Sequence, residues 1–153
     1  MDHTLAPSLI RQVAEADRDA WRRLWGEYCG FYGVQLPNRV TDATWSRIAS
    51  GHGPIFGLVA EDPAGKLLGF CHYVCHPNTW SDQTVCYLED LYVSQDARRT
   101  GLATRFISFL TDLGRQDGWY RLYWITNADN EPARRVYDQV AKRTDHMRYE
   151  ITL

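Results

Sequence analysis

The spacing of apolar positions changes several times along this chain, and each change marks a new element. Residues 8–13 form a short run that predicts a strand. Behind Asp17, a natural N-cap, Trp21, Leu24, Trp25 and Tyr28 recur at i, i+3, i+4 and i+7, one apolar face of a helix. The pattern fades at Gly30 and Gly33. Residues 41–50 predict a second short helix, capped by Thr41 or Asp42 and closed by Gly51, Gly53 and Pro54. Ile55–Glu61 then reads as a strand, 62–66 as a Pro/Gly turn and 67–75 as the returning strand of a hairpin. After the polar loop 76–83, large and β-branched residues at 84–93 predict another strand. From Gly101 the helical period returns, with Leu102, Phe106, Phe109, Leu110 and Leu113 on one face and Gly118 closing it. A strand over 120–126, a helix over 131–141 and a final strand over 146–153 complete the chain.

The predicted order is β-α-α-β-β-β-α-β-α-β. The unit from 84 to 126 is a strand–helix–strand crossover, so its two strands should be parallel. The other connections read as antiparallel. The fold class is α/β (α+β): a mixed, mostly antiparallel central sheet with helices on both faces. No repeat or linker divides the 153 residues, so they read as a single domain, 1–153.

Composition narrows the function. With 44% hydrophobic and 24% charged residues, the chain can bury a core without disulfides or a structural metal. A net charge of −2 offers no basic field for nucleic acid. No apolar stretch approaches the roughly 18 residues of a membrane span, and the N-terminus lacks a signal-peptide pattern, so the expectation is a cytoplasmic protein with no membrane partner. Cys29, Cys71, Cys75 and Cys86 form no CxxC pair. They read as reduced thiols, and with His72 and His76 they match no zinc spacing, so no metal is expected.

The segment Arg98-Arg99-Thr100-Gly101-Leu102-Ala103-Thr104 carries the clearest chemistry. It joins a strand to a helix N-terminus, where unpaired N–H groups and a partial positive charge favour a phosphate. Gly101 and Ala103 let the backbone approach such a ligand closely, and Arg98, Arg99 and Arg105 add positive charge. No Gly-Lys-Ser/Thr or early GxGxxG is present, so neither a P-loop nor a dinucleotide fold is supported.

Arg98-x-x-Gly101-x-Ala103, directly after Leu88-Glu89-Asp90-Leu91-Tyr92-Val93, resembles the pyrophosphate loop of the GNAT superfamily of N-acetyltransferases. Asn130-x-x-Ala133-x-x-x-Tyr137 resembles that family's Asn/Tyr motif on the following helix. The segment 88–93 with Asn130-Glu131-Pro132 is similar to the spermidine/spermine (diamine) acetyltransferase branch, and to bacterial proteins loosely called histone-acetyltransferase-like. The resemblance covers the chain from about residue 8 to the end.

The resemblance implies acetyl-CoA as co-substrate. The backbone of Arg98, Arg99, Thr100, Gly101, Leu102, Ala103 and Thr104 would hold its pyrophosphate. Leu91, Tyr92 and Val93 would offer main-chain groups to the pantetheine arm, as an added strand does. Asn130 would cap its helix and reach the same arm, with Ala133 one turn further on. Tyr137 lies seven residues, two helical turns, beyond Asn130 on the same face, and is the candidate acid for the departing thiolate. An alkylamine arrives protonated at neutral pH, so a base is required. Glu89 is the candidate, directly or through water, by resemblance to the polyamine branch. Asp90 is the alternate base or a ligand for the substrate cation. Neighbours in a regular strand face opposite ways, although the family's bulge in this strand would change that count.

Trp25, Glu27, Tyr28, Tyr32 and the loop Trp80-Ser81-Asp82 would border the acceptor. Glu27, Tyr28 and Asp90 are the candidate acceptor-binding residues. Two departures from the family stand out: no Gly-Phe follows Tyr137, and Arg99 occupies a slot where many members have Gly. The reading is an N-acetyltransferase for a small primary amine, acting in a ternary complex. A protein lysine or N-terminus as acceptor stays open, as does a non-catalytic acyl-CoA-binding module. A homodimer, with the last strand exchanged, stays open too.

Overall fold

The computed structural model describes residues 7–153. Its elements are β1 (Leu9–Gln12), α1 (Arg18–Phe31), α2 (Asn38–Ala49), β2 (Ile55–Glu61), β3 (Leu67–His76), β4 (Val85–Val93), α3 (Leu102–Asp117), β5 (Arg121–Tyr123) and α4 (Glu131–Val140). Short 3-10 turns at Glu15–Asp17 and Gln95–Ala97 lead into α1 and into the loop before α3. The five strands lie in sequence order, β1-β2-β3-β4-β5. All neighbours are antiparallel except β4 and β5, which the α3 crossover makes parallel. The mixed, mostly antiparallel α/β class is as the hydrophobic pattern predicts.

Two apolar layers sandwich the sheet. On one face Trp21, Leu24 and Trp25 of α1 and Trp45 and Ile48 of α2 pack on Val59, Phe70 and Tyr92. On the other Leu102, Phe106, Ile107 and Leu110 of α3 pack on Leu58, Cys71, Tyr73, Cys86 and Leu88. Each fully buried side chain of this size contributes about 1.5–3 kcal/mol. Tyr137 of α4 packs at the edge of the second layer.

Several local readings change. Asp17 occupies the N-cap position of α1 without a side-chain cap bond. Its carboxylate instead takes two bonds from Arg11, at 2.7 and 2.9 Å, and one from the Ala14 N–H, at 2.7 Å. A bidentate guanidinium outcompetes a single helix N–H. Helix α2 starts at Asn38 behind Pro37, so neither Thr41 nor Asp42 caps it. Thr41 is buried, and Asp42 pairs with Arg22 at 2.6 Å.

The strand predicted over 120–126 is only Arg121–Tyr123, and its ladder with β4 ends at Tyr87↔Tyr123. The strand predicted over 146–153 does not form. That segment alternates polar and apolar residues as a strand should, yet it is exposed and unpaired. An extended segment becomes a strand only where a neighbour takes its N–H and C=O groups.

Candidate active site

The early end of the β4–β5 ladder is the first feature of the site. Beyond Tyr87, β4 runs on to Val93 with only β3 beside it, so residues 88–93 present an open main-chain edge toward the gap. Leu91 and Val93 turn their side chains into the α3 layer, and Tyr92 into the α1 layer. The main-chain groups that β3 does not take remain for a ligand, except the Val93 carbonyl, which accepts from Arg98 Nε at 3.4 Å.

The second feature is a bulge. His72 pairs with Asp90, but the next residue, Tyr73, pairs with Leu88, so Glu89 is the extra residue. Before the bulge Cys86 and Leu88 face α3, and after it Tyr92 faces α1. Without the extra residue Asp90 would fall on the α3 side. With it, Asp90 reaches His72 and Tyr28 on the α1 side. The two carboxylates therefore lie close enough to interact. Burial first, then the Asp90 charge, raises the proton affinity of Glu89, while His72 and Arg148 oppose the rise.

The helix after β4 supplies the third feature. Arg99 and Gly101 both take left-handed backbone conformations, with φ 63° and 77°. No side chain caps α3, and its first internal bond runs from Arg105 N–H to the Gly101 carbonyl at 3.1 Å. The N–H groups of Leu102, Ala103 and Thr104 precede that bond and point out of the helix end. Leu102's side chain is buried, so only its N–H serves. A Cβ on Gly101 would stand in open space, where a ligand can approach. Thr100 Oγ1 donates to the Ala97 carbonyl at 2.6 Å and tightens the turn. Arg98 lies over the Tyr92 ring, 6.0 Å from its centre. Arg105 does not join this loop; its guanidinium donates to the hydroxyl and carbonyl of Ser8.

Across the gap, Asn130 Oδ1 accepts the Ala133 N–H at 3.4 Å and caps α4, leaving its NH2 group for a ligand. Tyr137 meets Trp124 edge-on at 5.4 Å. Burial, with a smaller effect of Tyr32, pushes the Tyr137 phenol up to about 12. It therefore holds its proton at neutral pH, as an acid must. Tyr32 in turn packs on Tyr28 at 5.1 Å, and Tyr28 donates to Asp90 at 2.7 Å. Asp90, Tyr28 and Tyr32 thus form a row that leads away from the bulge.

Some expected residues lie elsewhere. Glu27 accepts from Tyr92 at 3.1 Å and from Arg23 at 2.9 Å. It lines an open groove of about 720 Å3 with Tyr92, Lys66, Asp96 and Arg98, and makes no hydrogen bond to Asp90. Trp25 belongs to the core. Trp80 stands in solvent at 88% exposure, on a turn held by Asn78, whose Oδ1 accepts the N–H groups of Trp80 and Ser81. His72 was not foreseen as a site residue. No local motif marks it, since it reaches the site through folding alone.

Residues 10–141 match the model of the acetyltransferase (GNAT) family. The chain belongs to the GNAT acetyltransferase family and is an N-acetyltransferase. It is 32% identical over 143 residues to the D-amino-acid N-acetyltransferase HPA3 of Saccharomyces cerevisiae, covering 93% of this chain and 89% of that one. It is 37% identical over 89 residues to the thialysine N-epsilon-acetyltransferase of Caenorhabditis elegans, covering 58% and 52% of the two chains. Among solved structures it resembles AAC(6')-Iy in complex with a CoA bisubstrate analogue, with a TM-score of 0.82, 18% identity and coverage of 97% and 99%.

Among the described residues no helix is long and apolar enough to cross a membrane.

Proposed function

We propose that this enzyme transfers the acetyl group of acetyl-CoA to the primary amine of a small, amino-acid-like or diamine-like molecule in a ternary complex. The observation that carries this reading is the bulge at Glu89, which turns Asp90 to the α1 side of the sheet and keeps two interacting carboxylates beside the open edge of β4.

The residues present fit coenzyme A. The open edge of 88–93 suits an amide-bearing arm, and the uncapped start of α3 suits a pyrophosphate. When bound, acetyl-CoA supplies the acetyl thioester. The backbone of Arg99 to Thr104 holds the phosphates, and Leu91, Val93 and the Asn130 amide hold the arm. Glu89 takes the proton of the acceptor's ammonium group, directly or through one water, so that a neutral nitrogen attacks. A free N–H of the β4 edge meets the developing oxyanion. Tyr137 gives its proton to the departing sulfur. Tyr28 and Asp90 orient the amine.

Support for a small acceptor comes from the relatives named for D-amino acids and thialysine. The test is thiol release from acetyl-CoA with D-amino acids, thialysine, spermidine and a lysine peptide side by side. Turnover on one of the three small-amine types, and not on the peptide, is expected. Turnover on the peptide alone would overturn the small-amine reading. Coenzyme A binding without turnover on any amine would favour a binding module.

The enzyme is further proposed to work as a homodimer. Met147, Tyr149, Ile151 and Leu153 are each at least 79% exposed and alternate along the extended C-terminal segment. The outer edge of β5 has no strand beside it among the described residues. A second copy offers each segment the edge it lacks.

A further inference from the structure

Among the described residues His72 is the one histidine buried in the sheet, 2% exposed between Phe70, Trp25 and Trp21. Its two ring nitrogens have separate partners. Nε2 lies 3.0 Å from Trp21 Nε1 and Nδ1 lies 2.9 Å from Asp90 Oδ2. An indole nitrogen can only donate, so Nε2 accepts and the ring hydrogen sits on Nδ1, directed at the carboxylate. Asp90 Oδ1 takes a second bond from the Tyr28 hydroxyl at 2.7 Å. Every hydrogen in this chain points toward Asp90.

This arrangement is more than routine satisfaction of buried polar atoms. Trp25 and Trp45 belong to the same aromatic cluster, and their indole N–H groups have no partner among the described residues. Only Trp21 is aimed at a histidine. The bulge at Glu89 brings Asp90 to the α1 face, where His72 can reach it. Two donors fix the carboxylate's plane, and each oxygen keeps a lone pair. At 16% side-chain exposure Asp90 is still within reach of a solute.

We infer that His72 is a positioning residue for the acceptor: with Trp21 setting its tautomer, it holds Asp90 as a fixed anion that binds the ammonium group of the incoming amine. This rests on the proposed function, in which Asp90 and Glu89 border the acceptor. A fixed anion selects a cationic acceptor and places its nitrogen beside Glu89 without the anion having to reorient. It also explains why the two carboxylates differ. Asp90 has two donors and stays in place, whereas Glu89 has no hydrogen-bond partner among the described residues and is free to take a proton.

The test compares wild type with His72→Leu and His72→Gln. Gln can accept from Trp21 with its oxygen and donate to Asp90 with its amide, whereas Leu can do neither. With thialysine and D-alanine as acceptors, His72→Leu should raise the amine KM or lower kcat/KM by roughly 10- to 100-fold, the loss expected for one hydrogen bond to a charged group. The acetyl-CoA KM should stay within about twofold, and His72→Gln should recover most of the loss. Equal losses in the amine and the acetyl-CoA parameters, or no recovery in a Gln variant that melts like wild type, would overturn the assignment. A second measurement needs no turnover. Propylammonium titrated into the coenzyme A complex should shift the His72 Nδ1–H resonance in wild type and leave it unmoved in Asp90→Asn. No shift in wild type refutes the relay. A shift without turnover on any amine keeps the relay and removes the transferase mechanism.

Discussion

Tyr137 and Glu89 stand on opposite sides of the gap between β4 and α4, and their environments push both toward holding a proton. For Tyr137 burial is the main cause, and a phenol held at about 12 is a proton donor at neutral pH. Tyr137→Phe should cut kcat by roughly 100-fold or more while coenzyme A affinity measured by calorimetry changes little. Unchanged turnover would take Tyr137 out of the acid role. For Glu89, burial and Asp90 raise the proton affinity, so the wild-type rate should fall as pH drops through that raised value. Glu89→Gln should lag wild type most above that raised value and below an amine's own range of about 10, with the gap closing at both ends. Matching pH profiles of kcat/KM would place the base elsewhere. The types and spacing of Tyr137 and Asn130 were legible in the sequence because one helix carries both. The pairing of Glu89 with Asp90 was not, because a two-residue period sends neighbours to opposite faces and only the bulge reverses that.

The loop into α3 is an element whose backbone matters more than its side chains. Gly101 needs a left-handed conformation with φ 77° at the point of ligand approach. Gly101→Ala should cost about 1 kcal/mol in stability and raise the coenzyme A Kd by roughly tenfold, read by melting and calorimetry. A Kd equal to wild type would mean that the phosphates bind elsewhere. The join of β1 to α1 depends instead on charge. Arg11 holds the Asp17 carboxyl below its usual range, against the opposing effect of burial, and the Ala14 N–H helps. A depressed folded value means stabilisation present above about pH 4 and lost as pH falls through the lower folded value. Asp17→Asn should therefore cost about 2 kcal/mol at pH 7, with the gap to wild type shrinking in acid. A gap that does not shrink at all as pH falls from 7 into the acid range in denaturant melts would contradict the ion-pair account. Helix positions were readable from apolar spacing, but their caps were not. Asp17 is the right residue type in the right place, and a guanidinium from another element takes its carboxylate.

Exposure of the C-terminal segment makes sense only at the scale of the whole molecule. Tyr149 is 90% exposed, and its apolar neighbours at alternate positions are little more covered. A chain ending after Thr144 should sediment as a monomer, where the full chain sediments as a dimer. A full-length monomer at micromolar concentration would end the exchange proposal.

By itself the sequence determined the periodicity of nearly every element, the crossover that makes β4 and β5 parallel, the glycines that start and end α3, and the loop and helix motifs of the family. All of these depend on residues close together along the chain, where spacing alone sets which face a side chain takes. Tertiary structure alone decided how far β5 pairs before the sheet splays, which face Asp90 takes, where the guanidiniums of Arg11 and Arg105 go, and that His72 joins Trp21 to Asp90 across 51 and 18 residues of chain. It also left the C-terminal segment without a partner. Hydrogen bonds and charge pairs between distant elements depend on register and on the angle between layers, and no local pattern encodes either.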